Sequence, residues 1–289
     1  MSAPGGEGGT PSPAGLGAGA IRDLAVRHGI RPTKALGQHF LIDPNLARAI
    51  VADAGIERGD RVVEIGAGLG SLTLALAVVG ARVRAIEFDR RLIPALEEAT
   101  AGLDGVEIVH ADAMKFHWGT ELASEPWTVC ANLPYNISAP LVLSILEDAP
   151  TVRRVVVMVQ REVGERLAAT VGQEGYGAVS VRVAYRAAAS IVRRVPASVF
   201  WPRPKVASVV VRLDRLDTPP VHAEPERLWR VVDAGFAERR KTMRNALRRL
   251  GLDLAAADAV LTSCGVASTA RAEELDLVTF AAIGEALPR

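Results

Sequence analysis

The alternation of apolar and polar positions changes character along the chain. Between about residues 20 and 160, short runs rich in Val and Ile alternate with stretches of helical period. The runs at 61–65, 82–87, 106–110, 127–131 and 154–160 read as strands, and 71–79, 90–100 and 140–147 read as helices. This alternation predicts crossover units around a parallel sheet. The strands are almost wholly apolar, as expected when helices cover both faces. Helices at 161–170 and 177–186 and strands at 190–195 and 206–213 follow, which makes a mostly parallel sheet of seven strands. Past Asp217-Thr-Pro-Pro220 the sequence is helical and strand-poor. The expected organisation is an α/β domain over 20–216 and a small all-helical domain over 217–289.

Composition adds limits. The chain has 289 residues, 49% hydrophobic and 23% charged, the balance of an ordinary soluble globular protein. Only 4% are aromatic, so where the aromatics fall is informative. A formal net charge of +1 gives no domain-wide basic signature, and any RNA site must come from local clustering. The two cysteines, Cys130 and Cys264, show neither metal-ligand spacing nor a disulfide framework. A reducing cytoplasm and no metal are the expectations. Residues 1–19 are rich in Gly, Ala, Pro and Ser without Lys or Arg, and read as a disordered tail rather than a targeting signal. No apolar run is long enough to span a bilayer, so no membrane association is expected.

The first chemical signal is Glu64-Ile-Gly66-Ala-Gly68-Leu-Gly70, which follows the first strand and opens a helix. Glycines serve there because the backbone turns tightly and approaches a ligand closely. Glu87 ends the second strand, where a carboxylate can hold ribose hydroxyls. A dinucleotide site wants Gly-x-Gly-x-x-Gly, but the third glycine here comes one residue early and Ser71 takes its place. The Glu-x-Gly-x-Gly-x-Gly form instead resembles the first motif of S-adenosylmethionine methyltransferases, though a nicotinamide dinucleotide stays open, as does a glycine turn with no ligand. Asp112 follows the third strand and can accept from an adenine amino group or simply cap a helix.

The second signal is Asn132-Leu133-Pro134-Tyr135 after the fourth strand. An adenine amine is a poor nucleophile because its lone pair is delocalised into the ring. An Asn side-chain oxygen and a nearby backbone carbonyl are both acceptors. Together they can hold the two amine hydrogens and draw the nitrogen toward tetrahedral geometry. Proline stiffens the turn, and Tyr135 offers a flat face to the base. The plain alternative is an Asn-Pro-type turn with a packing aromatic.

Several segments together extend this reading. They are Leu36-Gly-Gln-His-Phe-Leu41, Glu64–Gly70, Glu87, Asp112-Ala-Met114, Asn132-Leu-Pro-Tyr-Asn-Ile-Ser138, Gln160-Arg-Glu-Val-Gly-Glu-Arg-Leu167, Tyr176-Gly177, Phe200-Trp-Pro-Arg-Pro-Lys-Val206 and Arg239-Arg-Lys-Thr-Met-Arg-Asn245. In this order, from residue 36 to the end, the chain resembles the bacterial small-subunit ribosomal RNA adenine dimethyltransferases, the KsgA/RsmA family. The resemblance implies a Rossmann-like class I methyltransferase domain and a monomer. It also implies a cofactor pocket lined by His39, Leu41, Gly66, Gly68, Glu87, Asp112 and Asn132. Tyr135 and Phe200 are implied to sandwich the target base, each stack contributing about 1–3 kcal/mol. The family usually has Asn where this chain has His39. The implied reaction is in-line methyl transfer to two adjacent adenines splayed out of their stack, with alignment as the enzyme's main work and no general base.

The run 239–249 reads as a helix with Arg240, Arg244 and Arg248 on one face and Lys241 beside them. Such a stripe repels itself unless an anion faces it, and an RNA backbone is a suitable partner. A large-subunit methyltransferase of the Erm type is the nearest alternative. Leu133, where that type typically has Ile, and the 239–242 segment favour the small-subunit enzyme. An assembly factor without catalysis and a nicotinamide oxidoreductase complete the alternatives.

Overall fold

The computed structural model describes residues 15–33, 36–123, 125–134, 137–238 and 240–288. The chain opens with α1 (Ala18–Arg27), β1 (Phe40–Leu41) and α2 (Pro44–Asp53). The α2 start is fixed locally. The Asp43 side chain accepts from the Asn45 and Leu46 N–H groups, and Pro44 at the first helical position donates nothing that would be lost. There follow β2 (Arg61–Ile65), α3 (Ser71–Val78), β3 (Arg82–Glu87), α4 (Ile93–Thr100), β4 (Val106–His110), α5 (Trp118–Glu121), β5 (Trp127–Asn132), α6 (Ser138–Asp148) and β6 (Val152–Gln160). Then come α7 (Arg161–Ala168), α8 (Ala178–Ala184), β7 (Ala187–Val195), β8 (Phe200–Trp201) and β9 (Ser208–Arg215). The chain ends in α9 (Pro225–Phe236), α10 (Met243–Arg249), α11 (Leu254–Ser263) and α12 (Leu277–Ala286).

The expected seven-stranded sheet is present, in the order β4-β3-β2-β5-β6-β9-β7. The pairs β2–β3, β2–β5, β3–β4 and β5–β6 are parallel. Burial follows position. Central β2 and β6 are buried over most of their length, with Val62, Val63 and Val155 fully buried, whereas the edge strands β4 and β7 stay half exposed. A separate two-stranded ribbon pairs Phe40 with Trp201 and Leu41 with Phe200.

Two compact units divide the chain. One holds the described residues up to Arg161 together with Val192–Arg212, and the other holds Glu162–Ile191 and Leu213 onward. The division differs from the expected break near residue 217. Val181 and Tyr185 of the 162–191 segment are buried in the helical core with Leu228, Met243, Leu261 and Phe280, and the Tyr176 hydroxyl donates to the Leu275 carbonyl. In that core α9 and α12 pack backbone to backbone, for a Cβ at Gly284 would lie 3.3 Å from the Leu228 nitrogen. Of the expected tail, residues 1–14 lie outside the described residues, and residues 18 and 19 already belong to α1.

The expected basic helix is shorter than its sequence suggests. It begins at Met243, because Thr242 is extended (φ −75°, ψ 159°) and bridges Arg271 in an antiparallel pair. The Met243 N–H is taken by the Ala270 carbonyl. Arg240 and Lys241 therefore sit in the turn before the helix, and Arg239 lies outside the described residues. Arg244 is ion-paired to Asp258 at 2.6 Å, and Arg249 is held by Glu238 and by the Ala234 carbonyl. Arg240, Lys241 and Arg248 are exposed. The continuous stripe is thus replaced by exposed cations on a turn and a helix end, with Arg244 neutralised between them.

Candidate active site

The strand order reverses between β2 and β5, and at such a point the loops leaving the carboxyl ends diverge and open a crevice. A cavity of about 300 Å³ lies there. Its wall includes the glycine turn after β2, Glu87 at the end of β3, Asp112 after β4 and Asn132 at the end of β5. Residues 36–41 form the remaining side.

The glycine turn needs its glycines. Gly66, Gly68 and Gly70 all have positive φ, at 73°, 60° and 85°, a region costing other residues about 1–2 kcal/mol. Space matters at two of them: a Cβ on Gly68 would lie 3.2 Å from the Phe40 ring, and one on Gly70 would lie 3.1 Å from Leu96 Cδ1. The turn is tied to β3 because the Gly68 N–H donates to Glu87 Oε2 at 2.8 Å. Glu87 Oε1 accepts from the Asp89 N–H at 2.8 Å. Burial raises the Glu87 carboxyl above its ordinary pKa, against the pull of those N–H groups. A carboxylate has about four lone-pair directions, so two backbone bonds leave capacity for ligand hydroxyls. Asp112 caps the single turn Ala113–Lys115, accepting from the Met114 N–H at 3.0 Å. Capping and cavity lining therefore coexist in one side chain.

Asn132 is oriented by the segment facing it. Its Nδ2 donates to the His39 carbonyl at 3.0 Å. A carbonyl can only accept, so the amide NH₂ is fixed on that side and Oδ1 is turned away from it. Leu133 is buried, and its N–H donates to the Met158 carbonyl. Pro134 lines the cavity, whereas Tyr135 lies outside the described residues. The His39 ring donates from Nδ1 to the Pro202 carbonyl at 2.6 Å, and Ser71 Oγ donates to the Leu41 carbonyl at 2.6 Å. Phe200 stands apart from the cavity wall. It is 3% exposed and packs with Leu41, Val195 and Val210.

Sequence reading gave no role to five residues the structure places here, Gln38, Asp89, Arg91, Phe88 and Met114. Gln38 donates to Asp89 Oδ2 at 2.8 Å and accepts from the Thr33 N–H. Arg91 binds both Asp89 oxygens and the Thr33 hydroxyl. Hydrogen bonds from Arg91 and then Gln38 hold the Asp89 carboxyl down at about 2. This cluster joins the 33–38 segment to the loop after β3. Phe88 and Met114 are the other two, apolar side chains 56% and 45% exposed on the cavity rim. The sequence signal for Phe88 was adjacency to Glu87, and for Met114 its place in the Asp112-Ala-Met114 segment. Among the described residues no group of side chains could hold a metal ion, and no helix is long and apolar enough to cross a membrane.

A parallel sheet with a glycine turn, acidic strand ends and Asn-Leu-Pro at its switch point defines a class I methyltransferase fold. The profile of the family described as ribosomal RNA adenine dimethylase matches residues 30–287, and the chain belongs to that family. It is an adenine dimethyltransferase of ribosomal RNA. Its relatives include ribosomal RNA small subunit methyltransferase A of Leifsonia xyli, 46% identical over 92% of this chain and 96% of that one. The protein of the same description from Thermobifida fusca is 45% identical over 93% and 94%. Among solved structures, a dimethyladenosine transferase from Plasmodium falciparum superposes with a TM-score of 0.72 at 26% identity, over 85% of this chain and 96% of that one. The 23S ribosomal RNA methyltransferase ErmE gives 0.68 at 27% identity, over 86% and 99%.

Proposed function

We propose that the chain uses S-adenosylmethionine to methylate the N6 amines of two adjacent adenines near the 3′ end of small-subunit ribosomal RNA. The product is N6,N6-dimethyladenosine, made by a cytoplasmic monomer on the small subunit during its biogenesis. The cavity suits that cofactor on three counts: positive-φ glycines that let the backbone approach closely, Glu87 with spare acceptor capacity, and a buried Glu64 oxygen without a protein partner. S-adenosylmethionine, when bound, supplies a methyl carbon on a positively charged sulfur. Glu87 holds the ribose and Asp112 the adenine amino group. Phe88 and Met114 cover the adenine faces, and Gly66, Gly68, His39 and Leu41 form the close walls.

The observation that carries the catalytic half is the fixed Asn132 amide. With Nδ2 committed to His39, Oδ1 is the acceptor that can bind one hydrogen of the target amine. A backbone carbonyl of the 132–134 turn takes the other, so the nitrogen lone pair is released toward the methyl carbon. Alignment supplies most of the acceleration. Tyr135 is assigned one face of the base, and Phe200, which is covered in this structure, the other. Of the four cations Arg240, Lys241, Arg244 and Arg248, the exposed Arg240, Lys241 and Arg248 make the RNA-binding surface, and Arg244, paired with Asp258, supports the helix that carries Arg248. Tyr135→Ala is expected to lower turnover by about 10–100-fold, the loss of one stack, and Tyr135→Phe far less; equal losses in a transfer assay would assign the role to the hydroxyl instead.

The deciding experiment is transfer of labelled methyl groups from S-adenosylmethionine to purified, undermethylated ribosomal subunits. Dimethyladenine in the small subunit is expected. Label confined to the large subunit would make the enzyme Erm-like, and no label in either would leave an assembly factor.

A further inference from the structure

Glu64 is a buried carboxyl with one oxygen unused. The residue is 2% exposed, lines the cavity, and its Oε2 makes no hydrogen bond within the protein. Its neighbours in the sheet are Ala85 on β3 and Cys130 on β5. Neither can neutralise a carboxylate. From α3, Thr73 approaches with its hydroxyl and its backbone N–H, yet Thr73 Oγ1 is itself without a partner. Glu87 adds a like charge from β3. The other titratable groups on the wall are His39, Asp89 and Asp112, and among the described residues no Lys or Arg lines the cavity. Asp89 is already engaged by Arg91 and Gln38. The wall is therefore acidic and lacks a resident cation.

An isolated carboxylate in such a place is expensive to keep ionised. Burial pushes the Glu64 carboxyl up to about 8, Thr73 opposing and Glu87 adding to the shift. A ligand that brings its own positive charge reverses the balance, because the carboxylate then faces a cation in a low-dielectric site. We infer that Glu64 holds a proton in the free enzyme and gives it up to solvent when a cationic cofactor enters, so that cofactor binding is coupled to proton release. The inference rests on the assignment of S-adenosylmethionine to this cavity. Its consequence is a directional pH dependence. Below about pH 8 binding tightens as pH rises, by up to about tenfold per unit, and the slope flattens once the free carboxyl is ionised.

The test is isothermal titration of the full-length enzyme with S-adenosylmethionine at about pH 6.5, in two buffers of different ionisation enthalpy. At that pH the amino group of the cofactor is already mostly protonated, so it contributes little. The comparison is with Glu64→Gln, which is neutral at every pH and nearly isosteric. Its melting temperature at pH 7 is expected to equal or exceed that of the wild type, since the variant removes the tendency of the unfolded carboxyl to ionise. The wild type is expected to release about one proton more per cofactor bound than the variant. The difference is the readout because every other group on the cavity wall is common to the two proteins. Equal release from the two proteins would overturn the inference while leaving the cofactor assignment standing. Absence of saturable binding by the wild type in either buffer would overturn the cofactor assignment itself, and the inference with it.

Discussion

The cavity wall and the basic run 240–249 hold their polar groups in opposite ways. At the strand ends around the cavity, three polar side chains are fixed by backbone: Glu87 by the Gly68 and Asp89 N–H groups, Asp112 by the Met114 N–H, and Asn132 by the His39 carbonyl. In the basic run the fixed groups lean on other side chains, Arg244 on Asp258 and Arg249 on Glu238, with the Ala234 carbonyl as a second partner of Arg249. Arg240, Lys241 and Arg248 remain exposed. Backbone partners do not rotate away, so the first arrangement suits a reaction that tolerates little misplacement. Surface cations on long side chains suit a polyanion whose contribution is mainly electrostatic and screened by salt.

The contrast can be broken most directly at Asn132. Asn132→Ala is expected to reduce methyl transfer by at least about 100-fold, on the scale of losing one preorganised polar contact to the reacting group. Cofactor affinity by calorimetry should change by much less. Unchanged turnover would remove the proposed hold on the amine. Next is Gly68→Ala, where a φ of 60° and a Cβ 3.2 Å from the Phe40 ring act together. A stability loss of about 1–2 kcal/mol, a melting shift of roughly 2–8 °C, is expected. An unshifted melting curve would show that the turn has slack.

Acid titration examines the tether behind the cavity. The Asp89 carboxyl is held at about 2, below the ordinary 3.8 of an aspartate, by the Arg91 guanidinium and Gln38. Its stabilising contribution is therefore complete above about pH 4 and is lost as pH falls toward 2. Chemical unfolding across that window should show a steeper decline for the wild type than for Asp89→Asn, and parallel curves would mean the Gln38–Asp89–Arg91 cluster is not stabilising. The smallest effects are expected in the basic run. Lys241→Ala or Arg248→Ala should each lower the salt slope of RNA binding by about one. Arg244→Ala should leave that slope nearly intact and cost about 0.2–1 kcal/mol of stability, the usual range for a surface ion pair. The reverse outcome would place the RNA contact on Arg244.

How much of this could be read in advance depended on how local the cause was. The strands 82–87 and 106–110 end where the apolar runs end, and 61–65 does the same. The helix expected over 90–100 begins only at Ile93, because Asp89, Arg90 and Arg91 are used in the turn after β3. Helix α2 went unnoticed although Asp43-Pro44 carries both a cap and a first-position proline. The ribbon of Phe40–Leu41 with Phe200–Trp201 had no readable signal, since two-residue strands show no periodicity. The same holds for Gln38 and Asp89, which meet across 51 residues. The basic run failed for a different reason. Its helical propensity is sound, but Thr242 and Met243 are claimed by the 270–271 segment, and that contact outweighs propensity.

The sequence by itself determined the alternation of strands and helices, the glycine turn, the acidic strand ends and the Asn-Leu-Pro turn. Each of these is dictated by residues adjacent in the chain: apolar period, positive-φ glycines and side-chain type. Only the tertiary structure decided which way the Asn132 amide points, that Phe200 is covered, that Arg244 is neutralised, and that Glu64 is a buried carboxyl with one oxygen unpartnered and no cation on the cavity wall. Those outcomes depend on partners brought together from distant segments, and on burial, which alters the energy of a charge far more than its neighbours in sequence can.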